Sequence, residues 1–234
     1  MIIKEDRLFA VSARNGTMAQ ASVDGHGLWL GDTRFLSEYD LLINGKRTDP
    51  ERLDAHAGGV TWQLRSGPFA ITRERYLASG MHERITVTNG NGQAEAVDLE
   101  LVFGADFAAM LAVRGIIHLP PPPAATLDTT DRGLLLRDGD GSRRLTEIVI
   151  SPPGPKHSLR LEPGESTQLE VHVLPRAGIE IEEFDAGAAK IRQIYDTWAG
   201  QCAHFETDNP VLNELIEQSR DDMRMLCDRY PTGI

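Results

Sequence analysis

Residues 82–107 read HERITVTNGNGQAEAVDLELVFGADF. Side chains on a β-strand alternate between two faces, so an apolar residue at every second position marks a half-buried strand. Ile85 and Val87 keep that period before Asn89-Gly90-Asn91-Gly92, and Val97, Leu99, Leu101 and Phe103 keep it afterwards. Asn and Gly tolerate the positive φ angles of tight turns, so the break predicts a hairpin between antiparallel strands.

The pattern extends both ways. In FAITRERYL (69–77), Phe69, Ile71, Arg73, Arg75 and Leu77 fall on one face, and Ala70, Thr72, Glu74 and Tyr76 on the other. GLLLRDGDGSRRLTEIVI (133–150) brackets Asp138-Gly139-Asp140-Gly141, and KHSLRLEPGESTQLEVHVL (156–174) brackets Glu162-Pro163-Gly164-Glu165. His172 alternates with Val171 and Val173, which puts it on the outer face. Pro120 to Pro123 cannot donate ladder hydrogen bonds and read as an extended connector. Many short strands without a βαβ period predict a mainly β protein over residues 1–178, an antiparallel sandwich or barrel.

After Gly178 the period changes. Ile191, Ile194, Tyr195 and Trp198 are spaced for one helix, with acids at its start suited to the helix dipole. Asn209-Pro210 is a helix start, Asn as cap and Pro in the first turn. Leu212, Leu215, Ile216, Met223 and Leu226 then form one apolar stripe. Residues 179–234 therefore predict one or two C-terminal helices, and the stripe needs a cover, such as the sandwich itself or a larger helical domain that begins where this chain stops. A second copy of the chain is another candidate.

The formal charge of −11 and the absence of a Lys/Arg cluster argue against nucleic acid or an anionic membrane as partner. No apolar run is long enough for a signal peptide core or a membrane span, and two thiols without ligand spacing fit a reducing, cytoplasmic setting. The seven histidines form no HxH or HExxH pattern, and GxSxG, Walker and GxGxxG motifs are missing, so no metal, cofactor or catalytic residue is assigned.

Candidate residues cluster in GLWLGDTRFLSEYDLLING (27–45) and around ADF (105–107). Asp32 and Arg34 could bind sugar hydroxyls, or form a strand-edge ion pair; a single carboxylate lacks the partner that glycoside hydrolysis requires. Asp106 and Arg114 are spaced to pair across a connection between two strands. Trp29, Trp62 and Tyr76 are either sugar-stacking platforms or core residues. Glu180, Glu182, Glu183 and Asp185 read as a solvated helix start, and Asp138 with Asp140 as a turn.

Together, GLWLGDTRFLSEYDLLING, RERYLASGMHERITVTNGNGQAEAVDLELVFGADFAAMLAVRG and TDNPVLNELIEQSRDDMRML resemble the N-terminal domain of bacterial and archaeal glycogen debranching enzymes of the amylo-α-1,6-glucosidase type. After Phe107 the sequence departs from that pattern, with Ala109, Leu111 and Ala112 at places the family gives to other residues, two of them acids. The resemblance implies a mutarotase-like β-supersandwich, with residues 179–234 leading into an (α/α)6 catalytic domain of the same polypeptide. It also implies that the catalytic acids lie in that barrel, that α-glucan is the substrate class, and that Asp32, Thr33, Arg34, Asp106, Phe107 and Arg114 are structural or interdomain positions.

Overall fold

The computed structural model describes residues 1–228 except Val23, Ala57 and Pro121. Among the described residues, fifteen strands form three antiparallel sheets. β1 (Ile2–Glu5), β2 (Leu8–Val11), β3 (Gly27–Leu30) and β4 (Thr33–Leu36) make the first, in chain order. β5 (Glu38–Ile43), β10 (Glu95–Gly104) and β14 (Lys156–Leu161) make the second, with β10 central. The third contains β6 (Pro50–His56), β7 (Gly59–Ser66), β8 (Phe69–Leu77), β9 (Met81–Asn89), β11 (Thr126–Thr130), β12 (Gly133–Arg137), β13 (Leu145–Ser151) and β15 (Ser166–Leu174). Its order is β11-β12-β13-β15-β9-β8-β7-β6.

Alternation builds the core. Leu28 and Leu36 from the first sheet, Val97, Leu99 and Leu101 from the second, and Ile71, Ile85, Val87, Val171 and Val173 from the third belong to one buried cluster. The antiparallel β-sandwich expected from the sequence is the fold observed.

The hairpins divide into two kinds. β6 to β9 and β11 to β13 are consecutive neighbours, and the 138–141 turn joins two paired strands. The Asn89–Gly92 break does not make the predicted hairpin: β9 pairs with β8 and β15, while β10 pairs with β14 and β5. Both edges of β9 are already occupied, so its continuation must enter another sheet. Residues 162–165 make the same kind of crossing between β14 and β15. Asn89 stitches the two crossings: its amide N donates to Glu165 O and its Nδ2 to Leu161 O, both at 2.9 Å. A short helix, α1 (Met110–Val113), replaces the strand expected after Phe107. Pro120, Pro122 and Pro123 lie in an exposed connector without regular structure, and Pro121 is outside the described residues.

Both C-terminal helices form. In α2 (Phe184–Gln201), the Glu183 side chain caps Ala186 N; in α3 (Pro210–Leu226), Asn209 Oδ1 accepts from Val211 N and Leu212 N. Phe184, Ile191 and Tyr195 of α2 pack with Tyr76 on the outer face of the large sheet. Gly187 makes the close approach possible, because a Cβ there would lie 2.2 Å from the Tyr76 hydroxyl oxygen. α3 is anchored by one edge: Arg224 donates to Glu5 at 2.7 Å and lies over the Tyr195 ring, and Lys4 pairs with Asp228.

Candidate functional site

Arg34 and Asp106, 72 residues apart, form a buried bidentate pair. Arg34 Nε donates to Asp106 Oδ1 at 3.1 Å, Nη2 to Oδ2, and Nη1 to His26 O at 3.0 Å. Gly27 leaves room for this arginine, since a Cβ would meet Arg34 Cδ at 2.6 Å and Leu36 O at 2.4 Å. Gly31 at φ 57° then makes the turn into β4. Segment 106–110 runs along β4: Arg34 N donates to Ala108 O, Met110 N donates to Asp32 O, and Thr33 bridges Ala109. Phe107, at φ 50°, packs edge-on against Phe35. The two motifs thus form one clasp between sheets. Asp32 is exposed and contributes its carbonyl, and Arg114 is exposed at the end of α1. The expected Asp106–Arg114 pairing is therefore replaced by Arg34–Asp106, because the helical turn carries Arg114 past the carboxylate.

Trp29 and Trp62 offer no open ring face to a sugar. Trp29 is buried, stacks on Phe9 and donates to Gly25 O. Trp62 is fully buried, donates to Arg14 O at 2.8 Å and carries two guanidinium groups over its ring.

Those guanidinium groups belong to a cluster the sequence reading missed. Arg73 and Arg75 point into the core from β8 and clamp Glu83 of β9, with Nε–Oε distances of 2.8 and 2.6 Å. The Tyr39 hydroxyl donates to the same carboxylate at 3.0 Å. Loop carbonyls of Asn15 and Gly16 accept from the two arginines. Burial alone would raise the Glu83 pKa, but the two guanidinium groups override it and hold the carboxyl below its ordinary range. The available signal was phase: Arg73 and Arg75 share the face of Ile71 and Leu77, and Glu83 that of Ile85 and Val87.

On the outer face, His82 and His172 meet Nδ1 to Nδ1 at 2.9 Å, and His82 stacks on Tyr76. His172 takes the outer face as expected, but it is buried there. Burial and then the neighbouring His172 push the His82 pKa down to about 3; burial also lowers His172, partly opposed by Glu170. Both imidazoles are neutral when folded and take up protons more readily when unfolded. Stability is therefore full above the ordinary imidazole value and falls below it, by about 1.4 kcal/mol per pH unit per imidazole. Melting curves at stepwise lower pH should show this slope between roughly pH 6.5 and about 3 for His82, and His82→Phe should flatten it.

The acids at the start of α2 serve as structural partners: Asp185 and Glu183 join Glu170 of β15 in pairing with Arg84, and Glu182 pairs with Lys190. Asp138 and Asp140 both pair with Arg144 in their turn. Among the described residues, no group of three or more His, Cys, Asp or Glu side chains is placed to hold a metal ion. No described helix is long and apolar enough to cross a membrane.

These features define an antiparallel β-sandwich with a buried Arg34–Asp106 clasp and two C-terminal helices. The chain belongs to the family of N-terminal domains of some glycogen debranching enzymes, whose model matches residues 3–181. Among solved structures, a polysaccharide lyase is similar at 15% identity with a TM-score of 0.41; the match covers 76% of this chain and 32% of the lyase. No curated protein sequence matches.

Proposed function

We propose that this chain is a non-catalytic module that packs on the catalytic (α/α)6 barrel of a glycogen debranching enzyme in the same polypeptide, the barrel hydrolysing α-1,6 branch linkages in the cytoplasm. Family membership supports the module reading. The observation that carries the docking surface is α3. Its apolar stripe is left open, with Leu215, Met223 and Leu226 at 61%, 55% and 68% exposure, and Phe205 beside it at 64%. Contiguous apolar surface of this kind marks an interaction site. When the barrel is absent, a second copy of the chain is the partner available to cover it.

Leu215→Glu tests the surface. The purified chain should associate with increasing concentration in sedimentation velocity, and the variant should remain monomeric with stability changed by less than about 0.5 kcal/mol. A wild-type chain that stays monomeric and fails to bind the separately produced catalytic domain would refute the docking surface. Release of glucose from a branched dextrin by the purified chain alone would refute the non-catalytic reading.

A further inference from the structure

A cleft of about 440 Å³ separates the outer face of the large sheet from α2, a size within the range of roughly 300–1,000 Å³ typical of small-molecule sites. Strand register builds its floor: Asp54 of β6 lies opposite Thr61 of β7, and Thr61 opposite Glu74 of β8. With neighbouring strands about 4.8 Å apart, the row spans about 10 Å. His56 Nε2 stands 3.3 Å from Thr61 Oγ1 at one side. The opposite wall is a single ridge of α2, Phe184, Ala188, Arg192 and Asp196, each four residues from the next.

The polar groups of this cleft differ from those next to it. Arg84, Glu170 and Asp185 are engaged with one another. Among the described residues, the side chains of Asp54, Glu74, Arg192 and Asp196 make no hydrogen bond or ion pair, yet all four line one cavity. The four unpaired side chains, three carboxylates and one guanidinium, carry two negative charges in excess, Arg75 in the same lining being held by Glu83, and this disfavours phosphates, uronates and other anions. A purely apolar occupant would strip water from those carboxylates and return no hydrogen bond. A neutral sugar ring meets both demands. Its hydroxyls donate to the carboxylates and accept from Arg192, and its C–H face rests on the apolar side chains of α2.

We propose that this cleft is a binding site for a neutral oligosaccharide. The choice of α-glucan within that class rests on the debranching reading. The site would hold a glucan chain on the sandwich, away from the bond being cleaved.

Maltoheptaose titrated into the purified chain by calorimetry tests this directly. Binding in the millimolar range or tighter is expected, weakened at least about tenfold by Asp54→Ala and by Arg192→Ala. Both residues are exposed and unpaired, so the melting temperature of each variant should match wild type. Glu74→Gln, which keeps shape and removes charge, should also weaken binding. No binding at about 10 mM ligand, binding undiminished in all three variants, or binding of spermidine in preference to maltoheptaose would overturn the proposal. Each of those results leaves the module reading standing, because that reading is decided by docking through α3 and by turnover.

Discussion

Glu83→Gln is expected to be the most damaging single substitution in the sandwich, lowering stability by about 3–5 kcal/mol. The carboxylate accepts from Arg73, Arg75 and Tyr39 at once, and its side chain is wholly buried. Glutamine keeps the size and removes the charge, leaving two guanidinium groups in the core facing aromatic rings and two loop carbonyls. Charge without a counterion in a low-dielectric interior costs far more than the lost attraction. Single domains have about 5–15 kcal/mol in total, so much of the margin disappears. Urea denaturation monitored by circular dichroism measures it. The triple replacement Arg73→Met, Glu83→Leu, Arg75→Met should recover most of the loss, since an apolar set of similar volume needs no compensation. A Glu83→Gln chain as stable as wild type would mean that the clamp does not hold the layers. The same carboxyl makes acid destabilising. Its folded pKa lies below the ordinary value, so its contribution is complete above that value and is lost as pH falls through the lower, folded one.

Asp106→Ala is expected to cost about 3 kcal/mol, the lower end of that range, because Arg34 keeps the carbonyls of His26 and Gln20 as acceptors. Its effect should also be local. Without the bidentate pair, segment 106–110 loses its tether to β4, and the amide protons of Arg34 and Met110 should exchange with solvent sooner than those of β8 and β9. Hydrogen exchange followed by mass spectrometry reads both quantities. Uniform acceleration across the sandwich would show that the clasp is part of the global core; unchanged exchange at those two amides would show that the backbone ladder suffices without it.

The pairing partners of each motif were less legible than the motifs themselves. Asp32-Thr33-Arg34 and Asp106-Phe107 stand out as charged islands between apolar strands, yet spacing directed Asp106 to Arg114 along the chain. Only the packing of segment 106–110 beside β4 brings Arg34 to it. His172 could be assigned a face by alternation but not a depth, since its burial depends on groups such as His82 that reach it from the neighbouring strand. The Asp54, Thr61 and Glu74 row was invisible for a related reason: it is a property of register between strands, and a single strand carries no record of it.

Local sequence determined the strands, the β class, the cap of α3 and its apolar stripe, because period-two burial and backbone capping act within a few residues. Tertiary structure decided which turns cross between sheets, which buried charges neutralise one another, and where a cavity opens beneath α2. Those outcomes depend on edge occupancy, desolvation and long-range pairing, each of which takes its value only after distant segments have met.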